Sequence, residues 1–146
     1  MTEHNELEEN LIVSWVKLTG ELKNTRMTQG MIYNEAIVML IVYNKYRKDG
    51  EGLVSFKEIV SETKMLKSLV NRTIDSLVEK KYLERSDGKD KRTTFVRPVK
   101  ENLAPFLTVH GKSIALAHRV AEILGEEDAE AFVRIAGKIC DKSPIL

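Results

Sequence analysis

A mainly helical fold carrying one small β-hairpin is what this sequence predicts, and three observations predict it. Apolar residues recur at helical spacing through most of the 146 residues, with no proline before Pro98. Two β-prone runs flank the charged loop Asp87-Gly88-Lys89-Asp90-Lys91-Arg92. Basic residues also concentrate around that loop rather than spreading along the chain.

Taken in order, Leu7, Leu11, Trp15, Leu18 and Leu22 step by 4, 4, 3 and 4, a helical stripe. Asn24 to Gly30 breaks it. Met31, Ile32, Ala36, Ile37, Met39, Leu40 and Tyr43 then predict a second helix, apolar on more than one side and therefore buried. It stops at Asp49-Gly50-Glu51-Gly52, a turn with two glycines. Leu53-Val54-Ser55 is a short extended piece, and Ser55-Phe56-Lys57-Glu58 follows the capping-box pattern that opens a helix running to Thr63. Over 66–80, Leu66, Leu69, Val70, Thr73, Ile74, Leu77 and Val78 fall on one side of a fourth helix. That leaves Lys67, Ser68, Asn71, Arg72, Asp75 and Glu79 on the other. The runs Leu83–Ser86 and Thr93–Arg97 are the arms of the hairpin. Helix, turn, helix and hairpin in that order make a winged helix-turn-helix.

The last third is helical again. Leu103, Leu107, His110, Ile114, Ala117, Ala121 and Leu124 alternate steps of 4 and 3, a heptad-like seam. Gly125 is its stop, and Glu126, Glu127 and Asp128 stand where the dipole of a following helix favours acids. The stripe of that last helix is Ala129, Phe132, Val133, Ala136, Ile139 and Cys140. No internal repeat or low-complexity tract interrupts the chain.

Composition narrows the function classes. The chain is 42% hydrophobic and 31% charged, an ordinary globular balance. Its single cysteine, Cys140, excludes an internal disulfide and suits a reducing compartment. No apolar run approaches the roughly 18 residues of a membrane span, and the acidic start (Glu3, Glu6, Glu8, Glu9) is unlike a secretory leader. The expectation is a cytoplasmic protein without membrane partners. The net charge of +1 conceals a segregation. Residues 64–100 hold eleven Lys/Arg against five acids, a local +6, and the remainder is −5. One basic block in an acidic chain is expected where a face meets a polyanion, although a solvated surface can reach the same asymmetry by chance.

Enzyme readings fail on spacing, and no cofactor or metal is expected. Gly111-Lys112-Ser113 matches the end of a P-loop, but Phe106 stands where the upstream glycine is required. His110 and His118 are eight apart, not the three or four that let one helical face chelate a metal. No G-x-S-x-G nucleophile elbow is present.

A helix that reads DNA must bury one side and offer hydrogen-bonding groups on the other, and helix 66–80 does so. Asn71 can pair with adenine and Arg72 with guanine, while Lys67 and Ser68 serve phosphates or either base type. Alone, the same pattern also describes an ordinary amphipathic surface helix. In the hairpin loop Lys89, Lys91 and Arg92 share a tip with Asp87 and Asp90. The two acids are superfluous to a purely electrostatic loop, and their expected role is to orient the arginine through a carboxylate–guanidinium pair. A rigid basic tip of this width suits the minor groove.

The stretch Val70-Asn71-Arg72-Thr73-Ile74-Asp75-Ser76-Leu77, followed by Leu83-Glu84-Arg85-Ser86-Asp87-Gly88-Lys89-Asp90-Lys91-Arg92, resembles the MarR (multiple antibiotic resistance regulator) family. The shared pattern is a recognition helix, then L-hydrophobic-x-R, then a D-x-R-D-x-R wing. The resemblance covers essentially the whole chain, as one domain over 1–146 with a winged DNA-binding region at 31–100. Helical dimerisation regions at 1–27 and 101–146 flank it. It implies a transcriptional regulator, expected to be a repressor, that binds a palindromic operator in double-stranded DNA as a homodimer. Carried over, the major-groove face falls on Lys67, Ser68, Asn71 and Arg72, and the wing on Asp87, Lys89, Asp90, Lys91 and Arg92. Many members bind a small aromatic effector between the dimer platform and the winged domain. Trp15, Tyr33 and His110 are candidates to line such a pocket, and core packing accounts for each of them equally well. Members that sense peroxide do so through a cysteine near the N-terminus, whereas Cys140 reads as a small apolar filler. Three positions depart from the family pattern. Lys89 replaces an arginine, Lys81 replaces the glycine after the recognition helix, and Arg97-Pro98-Val99-Lys100 replaces L-T-x-x-G. The alternative to a DNA reader is an adaptor that keeps the winged fold for protein–protein contact; the basic block favours the former.

Overall fold

The computed structural model describes residues 5–24, 31–87 and 94–145, the side chain of Asp87 excepted. The chain divides into two compact units, Met1–His110 and Gly111–Leu146.

The first unit begins with α1 (Glu6–Asn24), whose first turn carries Glu6, Glu8 and Glu9 at the positive end of the helix dipole. None of its residues is buried, and Leu7, Leu11, Trp15, Leu18 and Leu22 all stay exposed. Helix α2 (Tyr33–Asp49) starts two residues later than the periodicity of Met31 and Ile32 predicts, because Ile32 is extended at the N-cap. Its buried face is Ala36, Val38, Met39 and Val42, together with Glu35. Gly50 closes the helix at φ 77°, and Asp49 Oδ1 then accepts from the amides of Glu51 and Gly52, both at 2.9 Å. These two bonds, Gly52's first, hold the Asp49 carboxyl below its ordinary value. Gly52 itself has φ 72°, and a Cβ there would lie 2.8 Å from both Pro98 Cδ and Tyr46 Cβ, so no other residue fits without displacement.

The strand β1 (Val54–Ser55) leads directly into α3 (Phe56–Thr63). Ser55 Oγ accepts from the Glu58 amide at 3.0 Å, the serine half of the capping box. Helix α4 (Lys67–Glu79) packs Val70, Thr73, Ile74 and Leu77 inward. Leu66, assigned to that inner side by periodicity, instead occupies the N-cap and is exposed. The end of α4 is a Schellman closure, in which the Tyr82 amide donates to Leu77 O and the Lys81 amide to Val78 O. Lys81 takes the left-handed conformation (φ 65°) that this closure requires.

Strands β2 (Leu83–Asp87) and β3 (Thr94–Pro98) pair antiparallel, Leu83 opposite Pro98 and Arg85 opposite Val96. The strand β1 adds to the far side of β3, Val54 opposite Val96, giving the order β1-β3-β2. Where the family pattern has L-T-x-x-G, the chain runs through a 3-10 turn (Lys100–Asn102) into α5 (Ala104–Leu124). Asn102 Nδ2 donates to Lys81 O at 2.8 Å and the Val99 amide to Tyr82 O at 3.0 Å, so this entry is fastened to the end of α4. One core joins these elements, with Met39, Ile59, Ile74, Leu77, Leu83 and Phe106 among its members. On α5 the buried residues are Phe106 and Val109, while Leu107 and Ile114 of the expected seam are exposed. The helix is apolar on two sides, and the inner one begins from Leu103 with steps of three.

In the second unit, Gly125 (φ 82°) separates the end of α5 from α6 (Glu126–Cys140). The acids Glu126, Glu127 and Asp128 occupy its first turn, as the dipole favours. No residue of α6 is buried; Phe132, Val133 and Ile139 are exposed, and so is the free thiol of Cys140.

Candidate nucleic-acid interface

Helix α4 divides cleanly. The inner row is sealed into the core, and Lys67, Ser68, Asn71 and Arg72 stand exposed on its first two turns. Thr73 does not compete with them, since its hydroxyl donates to Leu69 O at 2.7 Å. A rigid helix with its donors and acceptors aligned along one outer face has the form needed to enter a major groove.

The basic block is not uniformly available. Lys80 turns back to the buried Glu35, its Nζ donating at 2.9 and 3.0 Å to the two carboxylate oxygens, with Ser76 Oγ at 3.4 Å from one of them. Arg85 pairs with Asp75 on α4, and Arg97 Nε donates to Glu84 at 2.6 Å across the hairpin. Lys100 lies 5.8 Å from the centre of the Tyr46 ring. Lys64, Lys67, Arg72 and Lys81 have no ion-pair partner among the described residues. The pairs Glu35–Lys80 and Asp75–Arg85 escaped sequence reasoning because only the tertiary fold brings their residues together, and Glu84–Arg97 because it depends on the register of the hairpin. The one local clue was an acid, Glu35, inside an otherwise apolar helix face.

The wing tip expected at Lys89, Asp90, Lys91 and Arg92 lies outside the described residues, and of Asp87 only the backbone, opposite Thr94, is described. Of the three effector-pocket candidates, Trp15 and Tyr33 are exposed, on α1 and at the first residue of α2. His110 is half-buried, stacked on Phe106 at 5.5 Å and tilted against Tyr43 at 5.2 Å. The rings gathered around His110 are thus Tyr43 and Phe106. Among the described residues no group of His, Cys, Asp and Glu could hold a metal ion, and no helix is long and apolar enough to cross a membrane.

Two helices in helix-turn-helix order, a three-stranded sheet and an outward-facing second helix define a winged helix-turn-helix. Residues 40–93, most of this winged segment, match the model of the MarR family. Solved structures are similar in fold over 95–98% of the chain. The MarR-family regulator Sco3205 from Streptomyces coelicolor, solved in complex with DNA, superposes with a TM-score of 0.76 at 17% identity, covering 95% of this chain and 92% of that one. BpsR of Bordetella bronchiseptica, whose DNA binding is regulated by 6-hydroxynicotinic acid, gives 0.73 at 17% identity over 98% and 100%. NadR in complex with 4-hydroxyphenylacetate gives 0.74 at 14% identity over 98% of each chain. No curated protein sequence matches the chain.

Proposed function

We propose that this protein is a MarR-type transcriptional regulator, a repressor that binds a palindromic operator in duplex DNA as a homodimer. The observation that carries the reading is the outer face of α4, where Lys67, Ser68, Asn71 and Arg72 are exposed together on a helix anchored by its inner row. The match of residues 40–93 to the MarR family model supports it, as does the likeness of the fold to a regulator solved on DNA. Support for the dimer comes from α1 and α6, which bury no residue within the chain while exposing Leu7, Trp15, Phe132 and Val133. Apolar surface on this scale marks association sites. A two-fold dimer would read an inverted repeat with half-site centres about one helical turn, roughly 10 bp, apart.

The decisive experiment selects bound duplexes from a random pool and titrates the winner. Arg72→Ala lowers affinity by about 1–3 kcal/mol and relaxes the preference at one base position. Lys67→Ala weakens selected and random DNA alike, and reduces the slope of log affinity against log salt by about one unit. Failure of the wild type to bind any duplex at low salt refutes the reading and leaves a winged adaptor. Light scattering showing a stable monomer at micromolar concentration refutes the dimer.

The effector reading is a small aromatic acid bound near Trp15, Tyr33 and His110, releasing the protein from DNA. Its support is chemical: the rings of Tyr43 and Phe106 already form an aromatic wall at His110, and two proteins of the same fold are described with hydroxylated aromatic acids. Thermal shift with 4-hydroxyphenylacetate and 6-hydroxynicotinate tests it, and no shift with either refutes it for those two compounds.

A further inference from the structure

We propose that Arg85 is a positioning residue, which with Asp75 forms a strut that fixes the stem of the hairpin, β2 and β3, against the recognition helix. The inference rests on the reading of α4 and the wing as the DNA-binding surface. Within β2, side chains alternate between faces, so Arg85 shares its face with Leu83. Leu83 is sealed in the core against the inner side of the sheet. Arg85, one repeat closer to the wing tip, therefore projects toward the same neighbour and meets the Asp75 carboxylate of α4. Asp75 stands one turn beyond Asn71 on the outer side of the helix. There an unpaired carboxylate would repel phosphate; paired, it is neutral and serves as an anchor.

On the opposite face of the hairpin, Glu84 and Arg97 stand directly across from each other and are bonded at 2.6 Å, which ties β2 to β3. The hairpin stem is thus stiffened by one pair and attached to α4 by the other. Two of the chain's basic residues are in this way withdrawn from the phosphate-binding inventory that composition suggests, and one of them ties the hairpin stem to the recognition helix.

Both partners are substantially exposed, and pairs of this kind contribute little to folding, so the variants remain folded. Asp75→Asn adds positive charge to the surface, so simple electrostatics predicts tighter DNA binding. The strut predicts weaker binding to the selected operator, by about threefold to tenfold. Arg85→Ala gives a loss of similar size with an unchanged salt slope, and the double variant is no worse than Arg85→Ala alone. Tighter or equal binding by Asp75→Asn overturns the strut, as does multiplication of the two single losses. A fall of about one unit in the salt slope for Arg85→Ala makes Arg85 a phosphate contact and also overturns it. Amide hydrogen exchange on the free proteins needs no DNA. The strut predicts faster exchange at Arg85–Asp87 and Thr94 in Asp75→Asn, with α2 unchanged, and identical exchange overturns it. If the wild type itself ignores DNA, the DNA-binding reading fails instead, and the exchange experiment still decides whether the strut exists.

Discussion

Cutting the pair between Glu35 and Lys80 should have consequences that depend on which partner is removed. The Glu35 side chain is 3% exposed and that of Lys80 is 45% exposed, so one end of the pair is dry and the other is wet. Lys80→Met strands a buried carboxylate whose remaining partner is Ser76 Oγ, 3.4 Å away. Breaking a fully buried pair costs about 3–5 kcal/mol. Because water reaches the lysine end, the expected cost here is lower, about 2–3 kcal/mol. Glu35→Met instead releases an ammonium group that already touches solvent and leaves an apolar side chain in a helix whose other buried residues, Ala36, Val38, Met39 and Val42, are all apolar. Its cost should stay within about 1 kcal/mol, and Glu35→Met/Lys80→Met should resemble it. Urea unfolding at one fixed protein concentration measures all three, with the midpoint moving and the slope unchanged. Equal losses for the two single variants would refute the argument, because the asymmetry follows only from the unequal burial.

Three further outcomes are expected. Gly52→Ala should cost about 2–4 kcal/mol, since it combines a left-handed backbone with two approaches at 2.8 Å; an unchanged melting temperature would show that the Pro98 side yields freely. Lys81→Gly should stabilise by about 1 kcal/mol by relieving φ 65° at the Schellman position, read as a higher urea midpoint. Asp49→Ala should melt below the wild type at neutral pH. The Asp49 carboxyl is held below its ordinary 3.8, so its contribution is complete above that value and lost as the pH falls through the lowered one. The gap between the two proteins should therefore close in acid, and a gap that is constant with pH would exclude the carboxylate as its source.

Where local chemistry decides structure, the sequence was legible. Ser55 and Glu58 marked the start of α3, Asp49 to Gly52 marked a turn, and the inner row of α4 was read correctly from Val70 to Leu77. The errors arose where a pattern continued past the point at which the backbone stopped obeying it. Leu66 keeps the helical period, yet it is the extended residue at the cap. In α5 two apolar stripes overlap, and periodicity has no means of telling which is buried within the chain; Phe106 and Val109 are, Leu107 is not. The exposed face of α4 was legible, but the allocation of the basic residues around it was not. Lys67, Ser68, Asn71 and Arg72 were assigned from a single helix face, whereas Lys80, Arg85 and Arg97 were counted as surface charge although the fold engages each with an acid. No local rule connects Glu35 with Lys80, because only the packing of α2 against α4 makes them neighbours.

The strand order β1-β3-β2 also bears on how the molecule acquires its structure. The β2–β3 hairpin closes over a short span, of the kind that forms within microseconds. The pairing of Val54 with Val96 joins segments about 40 residues apart, with α3, α4 and β2 lying between them in sequence. Chain entropy must be surrendered before that contact returns anything, and such non-local pairings slow folding far more than helix growth does. The shortest of the described strands therefore makes the more distant of the two strand pairings, and the winged segment completes its sheet only once the helix-turn-helix has been gathered between the two ends.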